Sequence, residues 1–106
     1  MTNKIKSWQN LINVTELEHG DVTPVRFGTK DLAVFDAKEG VFVSMSRCTH
    51  GAANLCDGYF DGTFIECPLH QGLFDVRTGE AKAVPARIPL KMIKCRIKNG
   101  FVQINI

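Results

Sequence analysis

The chain has 106 residues, of which 44% are hydrophobic and 23% charged, and this balance is typical of one small folded domain covering residues 1–106. Thirteen Lys and Arg residues are spread along the chain against eleven Asp and Glu residues, so the net charge of +2 is too weak to bind nucleic acid. The N-terminal residues lack the apolar segment of a signal peptide, and no apolar run approaches the ~18 residues of a membrane span, so we expect a cytoplasmic protein with no membrane partner.

The first half of the chain predicts a series of short strands. The segment 8–14 is a candidate first strand, and a helical turn or loop follows at 15–18. Alternating apolar residues bounded by turn residues then predict three strands, at 22–27, 31–36 and 41–46. Consecutive strands joined by such short turns form an antiparallel meander.

The C-terminus predicts a β-hairpin. Ile93, Cys95 and Ile97 alternate with basic residues, and apolar residues alternate again after Asn99-Gly100. Asn-Gly favours a type I′ turn because both residues tolerate a positive φ. The alternation places one face of the hairpin in the core and leaves the lysines in water.

The middle of the chain predicts two more short strands, at 64–67 and 74–77, and no segment has the pattern of a long helix. The sequence therefore predicts an all-β fold, with an antiparallel β sandwich or barrel as the base. Cys, His and Gly are concentrated at about 47–75, which predicts a small loop-rich lobe that carries the functional site.

Two short motifs contain residues that bind metals. Cys48-Thr49-His50 and Cys67-Pro68-Leu69-His70 each offer one thiol and one imidazole, with sixteen residues between His50 and Cys67. Two irons bridged by sulfide need four terminal ligands, which two loops of this kind can supply. A structural zinc site is the main alternative, although zinc sites usually group the cysteines before the histidines.

Taken together, the two motifs and their spacing resemble the signature of Rieske-type ferredoxins. The segment CPLHQGLFDVRTGEA is similar to a stretch shared by the ferredoxin components of bacterial ring-hydroxylating dioxygenase systems, and the resemblance covers about the whole chain. It implies a Rieske-type base domain with a cluster-binding lobe and one [2Fe-2S] cluster. In that arrangement Cys48 and Cys67 bind one iron, and His50 and His70 bind the other.

The resemblance also implies a function. The chain would be an electron carrier without an active site, taking single electrons from a flavin-containing NAD(P)H ferredoxin reductase. It would deliver them, as a monomer, to a terminal Rieske non-haem iron oxygenase that acts in aromatic hydrocarbon catabolism. The alternative is a permanently bound Rieske-fold small subunit of a larger reductase, which need not cycle between partners.

Two departures from another Rieske branch bear on the redox potential. The subunits of respiratory cytochrome bc complexes have two further cysteines that form a disulfide, at positions where this chain has Ala53 and Leu69. They also have Ser and Tyr hydroxyls that hydrogen-bond the cluster, where this chain has Gly72 and Phe74. Fewer donors to cluster sulfur leave the reduced state less stabilised, so the resemblance implies a low potential for a Rieske centre.

Five other residues have less specific interpretations. Cys95 is predicted to be a small inward-facing hydrophobe, and Cys56 an ordinary loop cysteine rather than a redox-sensitive thiol. Pro85 belongs either to a surface loop or, by resemblance, to a third loop that covers the cluster. Leu69 and Leu73 flank the second histidine, where they can form an apolar docking rim or pack against the base domain.

Overall fold

The strands account for most of the regular structure. A computed structural model describes residues 7–49, 53–69, 72–84, 86 and 88–106. In chain order the strands are β1 (Trp8–Asn13), β2 (Val22–Phe27), β3 (Lys30–Ala37), β4 (Gly40–Met45), β5 (Tyr59–Phe60), β6 (Phe64–Glu66), β7 (Leu73–Asp75), β8 (Ala81–Ala83), β9 (Met92–Ile93), β10 (Cys95–Lys98) and β11 (Phe101–Asn105). Two 3-10 helices span Val14–Glu16 and Leu55–Asp57. None of the helices in the described ranges has the length and hydropathy needed to cross a membrane.

The strands form three antiparallel sheets. The first sheet has the order β1-β11-β10, the second β2-β3-β4-β9, and the third β5-β6-β7-β8. Neighbouring strands pair in antiparallel register within each sheet. The predicted all-β fold of antiparallel sheets is confirmed. We call the first two sheets the base domain and the third sheet, with the loops beside it, the lobe.

Strand β3 is buried on both of its faces. Leu32, Ala33, Val34 and Phe35 are all fully inaccessible to solvent. Successive side chains of a strand point to opposite faces, so Leu32 and Val34 contact one layer while Ala33 and Phe35 contact the other. This explains why the longest apolar run of the sequence lies in a strand of the middle layer.

Each face of the second sheet has its own hydrophobic core. The core shared with the first sheet consists of five fully buried residues, Leu32, Val34, Val43, Val102 and Ile104. The core shared with the third sheet is larger and includes the aromatic residues Phe35, Phe60 and Phe74 together with Cys48 and Cys67. The two cysteines of the predicted site therefore lie inside a packed core rather than on the surface.

The C-terminal hairpin forms from β10 and β11, but Ile93, which was predicted in the same alternation, belongs to β9 and pairs with Val43 in the second sheet. Asn99 has φ = 54° and Gly100 has φ = 81°, the positive values that a type I′ turn requires. Ile97 lies beside this turn on the edge strand β10 and is 54% exposed. The predicted burial of this residue is therefore wrong.

The strand predicted at 74–77 is wrong at its end. Strand β7 stops at Asp75, because the N–H groups of Thr78 and Gly79 both donate to the Asp75 carbonyl and close a turn. Gly79 has φ = 85°, which this turn requires of it. Strands β5, β8 and β9 were not predicted, since two or three residues are too few to show a period.

A charged tie joins the third sheet to the second. Asp75 is 3% exposed, and its carboxylate accepts two hydrogen bonds from the guanidinium of Arg77, at 3.0 and 2.8 Å. The same guanidinium donates to Glu39 in the β3–β4 turn at 2.6 Å. The Lys38 N–H of that turn donates to the Gly62 carbonyl at 3.0 Å. Arg77 holds the pKa of Asp75 below its ordinary value.

We expect Asp75→Asn to lower the free energy of unfolding by roughly 1.5–3 kcal/mol, the range for hydrogen bonds to charged groups. The native pKa of Asp75 is depressed, so its contribution is present above the ordinary Asp value of about 3.9 and is lost as the pH falls through the native value. Urea unfolding at pH 7 and near pH 3 measures both effects. Asp31→Asn is the control, because the Arg26–Asp31 pair is exposed and should cost below about 1 kcal/mol. An equal loss of unfolding free energy in the two variants would show that the buried Asp75 interactions stabilise the fold no more than the exposed Arg26–Asp31 pair.

Candidate metal centre

The first metal-binding motif lies on a tight loop that follows β4. The Cys48 N–H donates to the Ala53 carbonyl at 2.9 Å, and the Leu55 N–H donates to the Ser46 carbonyl at 2.7 Å. Arg47 and Asn54 form an antiparallel bridge between these two bonds. These bonds hold the two ends of the loop together. Cys48 lies at the base of the loop and is 2% exposed.

The second motif repeats this construction at the end of β6. The Cys67 N–H donates to the Gly72 carbonyl at 2.8 Å, so the closing bond again joins a cysteine to the residue five positions later. Cys67 follows the last residue of β6, Glu66, and is fully buried. Both motifs thus place a cysteine at the base of a loop of the same length, with the cysteine directed into the core.

The two loops bring their thiols together. The Cys48 and Cys67 side chains are hydrogen-bonded to each other, and the Leu69 N–H donates to the Cys67 sulfur. Burial raises the pKa of Cys67 and the adjacent Cys48 raises it further, whereas the Leu69 N–H lowers it. With its pKa raised, the Cys67 thiol remains protonated at neutral pH unless a cation compensates for the charge of the thiolate.

This pair fits one half of an iron-sulfur site. A thiol that ligates a metal is deprotonated, and two adjacent buried sulfurs supply the thiolate pair that one iron of a [2Fe-2S] cluster needs. The predicted histidine ligands, His50 and His70, and the loop residue Pro85 lie outside the described residues. In the described part of the chain, no group of three or more metal-ligating side chains is found, so the structure brings together two of the four predicted ligands.

Sequence reasoning missed two residues that support this site. Gly58 ends the second 3-10 helix beside β6, where a Cβ would lie 2.0 Å from the Glu66 carbonyl oxygen, next to Cys67. Only glycine permits that approach. Thr49 donates its hydroxyl hydrogen to the Ile88 carbonyl at 2.6 Å, across 39 positions of sequence. Gly58 had a local signal in Cys56-Asp57-Gly58, but nothing in the sequence indicated the partner of Thr49.

The other two cysteines have different surroundings. Burial, with Asp57 and Asp31 nearby, raises the pKa of Cys56 to about 11, so this residue is a protonated thiol at neutral pH. Cys95 packs against the core on the opposite side of the second sheet, where its sulfur donates to the Val41 carbonyl at 3.3 Å. The interpretation of Cys95 as a small packing residue is confirmed.

Three apolar side chains in the second loop and the segment between β8 and β9 are exposed. Leu69 is 41% exposed, and Val84 and Ile88, which lie between β8 and β9, are 76% and 62% exposed. Leu73 is half-buried on β7. Of the two residues predicted to form a docking rim, Leu69 therefore faces solvent to a greater extent than Leu73.

Comparisons with known proteins agree with this geometry. Residues 7–94 match the family model of the Rieske [2Fe-2S] domain. The ferredoxin component of the naphthalene 1,2-dioxygenase system of Pseudomonas putida is 37% identical over 99 residues, which cover 93% of this chain and 95% of that protein. The solved Sphingomonas yanoikuyae B1 ferredoxin is 42% identical, with a TM-score of 0.88 over 94% of this chain and 99% of that one. The solved complex of reduced oxygenase and oxidized ferredoxin in carbazole 1,9a-dioxygenase matches at 33% identity, with a TM-score of 0.83 over 92% of each chain. The chain therefore belongs to the Rieske [2Fe-2S] domain family.

Proposed function

We propose that this chain is an electron carrier that holds one [2Fe-2S] cluster, with Cys48 and Cys67 as the ligands of one iron and His50 and His70 as the ligands of the other. The observation that carries the proposal is the hydrogen-bonded pair of buried thiols at the bases of two matching loops. Each of these loops also contains one of the two histidines. One thiolate and one imidazole from each loop make up the mixed ligand set of a Rieske cluster.

The proposed site has one side that is buried in the core and one side that faces solvent. When bound, the cluster supplies one-electron redox chemistry. Cys48 and Cys67 lie on the core side, where Phe74 and the other core residues exclude water from the sulfurs. The exposed apolar residues Leu69, Val84 and Ile88 lie on the solvent side. A small apolar rim of this kind suits a partner that binds briefly and leaves.

The relatives support the proposed partners. The similar proteins are named as ferredoxin components of aromatic dioxygenase systems, and one solved relative is a complex of oxygenase and ferredoxin. The chain accepts single electrons from a flavin-containing NAD(P)H ferredoxin reductase and donates them to a terminal Rieske non-haem iron oxygenase of a ring-hydroxylating system. It acts in the cytoplasm as a monomer and catalyses no substrate reaction itself.

Iron and sulfide analysis with EPR of the purified chain tests this function. We expect two irons and two sulfides per chain in the proposed cluster, and an EPR signal that develops when an NAD(P)H-dependent flavin reductase reduces the protein. A colourless chain with bound zinc would contradict the cofactor. A cluster that no flavin reductase reduces would contradict the carrier role. A fixed complex with a larger reductase on size-exclusion chromatography would favour the permanently bound subunit.

His70→Ala should lose the cluster or leave it unstable, because an iron without its imidazole is open to water and to displacement. His50→Ala should behave in the same way. Cys95→Ser is the matched control, since Cys95 lies in the core on the other side of the second sheet and should cost only packing stability. Iron content and the visible spectrum of each purified variant are the measurements. A normal spectrum in His70→Ala, or a bleached Cys95→Ser, would show that the ligand assignment is wrong.

The redox potential should lie toward the low end of the Rieske range of about −150 to +300 mV, and Phe74→Tyr should raise it. Phe74 is fully buried in the core that contains both cysteines, and the prediction requires the added hydroxyl to reach the sulfur of one of them. A hydrogen bond to a charged group is worth roughly 1.5–3 kcal/mol. If about half of it distinguishes the two redox states, the ~1 kcal/mol difference corresponds to roughly 40 mV for a one-electron couple. Voltammetry is the measurement. An unchanged or lowered potential with an intact cluster would mean that hydroxyl donors do not set the potential here.

A further inference from the structure

An open polar groove lies in the base domain, between the β2–β3 turn and the base of the first cysteine loop. Its larger part is a cavity of about 500 Å³, whose lining includes Lys30, Ser46, Arg47 and Asn54. A second cavity of about 250 Å³ adjoins it along the edge strand β2, and the two share Asp31, Ser46 and Asn54. Cavities of about 300–1,000 Å³ hold ligands much larger than a single ion. The groove therefore has room for a short extended segment.

Two neutral side chains offer hydrogen-bond donors to the groove. Ser46 is 4% exposed, and its backbone is held on both sides, since its N–H donates to the Asp31 carbonyl at 3.0 Å and its carbonyl accepts from the Leu55 N–H at 2.7 Å. Among the described residues its hydroxyl has no hydrogen-bond partner, so this buried group is available to a ligand. The Asn54 Oδ1 accepts from the Cys56 N–H at 2.8 Å, which leaves the Asn54 amide hydrogens as a second donor.

The charged side chains of the groove favour an anion. Asp31 is already paired with Arg26, whose Nη1 lies 2.9 Å from the Asp31 carboxylate. Lys30 and Arg47 also line the groove, and within the ranges that the structure describes neither has an ion-pair partner. Two positive charges beside two neutral donors match a carboxylate, which accepts hydrogen bonds and donates none.

We propose that this groove binds an acidic, extended segment of a partner protein, with a carboxylate of that segment held by Ser46, Asn54 and Arg47. The segment does not add a strand at the edge of the sheet, because Pro24 of β2 lines the groove and has no N–H to donate. Recognition is therefore through side chains, with Pro24 and Val25 contacting the apolar parts of the segment. This site is separate from the thiol pair and does not depend on a bound cluster.

Two capped peptides test the proposal on the full chain by NMR titration of the backbone amides. The peptide acetyl-Gly-Glu-Glu-Gly-amide carries the carboxylates, and acetyl-Gly-Gln-Gln-Gly-amide has the same length without charge. We expect the acidic peptide to shift the amides of Val25, Thr29 and Lys30 in a saturable way, and the Gln peptide to leave them in place. The Val102 amide, in the core of the first sheet, should not shift with either peptide. Added NaCl should weaken binding of the acidic peptide, because salt screens exposed charges.

Three variants assign the binding to the groove. Ser46→Ala and Arg47→Gln should each weaken binding of the acidic peptide about three- to tenfold, the loss expected when one hydrogen bond is removed. Lys98→Gln is the matched control for Arg47→Gln, because it also removes one positive charge from an exposed residue but lies on β10 and lines neither cavity. It should keep the wild-type affinity. Arg47 is exposed, so Arg47→Gln decides the proposal if thermal unfolding shows that Ser46→Ala is destabilised.

Four results would overturn the proposal. The first is the absence of any saturable shift with the acidic peptide, and the second is equal binding of the two peptides. The third is an equal loss of affinity in Arg47→Gln and Lys98→Gln, which would mean that only the net charge of the chain matters. The fourth is succinate binding as tightly as the acidic peptide, since the groove would then hold a free dicarboxylic acid rather than a protein segment. A chain that binds no iron would overturn the proposed function instead, and the peptide titration would still decide the groove.

Discussion

Strand β3 is packed on both faces, and the positions of the other layers follow from this requirement. Leu32 and Val34 need a cover on one side, which the first sheet provides, and Ala33 and Phe35 need one on the other, which the third sheet provides. The second cover is the lobe that contains β6 and therefore Cys67. Cys48 follows β4, the neighbour of β3 in the central sheet. The apolar packing that buries Phe35 thus also brings together two thiols from separate loops.

The burial that brings the two thiols together also means that the Cys67 thiol ionises only when a cation is bound. In the apolar core the pKa of Cys67 is raised, so in the metal-free chain the Cys67 thiol is neutral and hydrogen-bonded to the Cys48 side chain. A bound metal takes up the sulfurs as thiolates, and proton release accompanies its binding. The fold therefore holds two sulfurs next to each other in the core, where a metal can bind both. This arrangement favours a soft metal over the hydrated hard cations, which prefer oxygen ligands.

The sequence predicted those parts of the fold that have a local cause. The meander through β2, β3 and β4 follows from alternation and turn residues, and the C-terminal hairpin follows from Asn99-Gly100. Interactions between distant segments were not predictable, and the Asp75–Arg77–Glu39 tie is the clearest example, because Arg77 and Glu39 lie 38 positions apart. The site divides in the same way. Cys48 and Cys67 were predicted and lie together, whereas the approach of Gly58 to Glu66 required the folded chain.

The lobe is held at both of its ends, and this bears on how a carrier works. At the end away from the thiols, Arg77 bridges Asp75 and the Glu39 turn of the base domain. At the thiol end, Thr49 joins the first cysteine loop to the β8–β9 connection. A site that must receive and give up an electron without rearranging needs supports on rigid elements rather than on free loops. The closing hydrogen bonds at Cys48 and Cys67 fix the base of each loop, and the hydrogen bonds of Arg77 and Thr49 join neighbouring segments. Exposed apolar side chains such as Ile88 can then contact a partner. The Ile88 backbone is held in place by its hydrogen bond with Thr49.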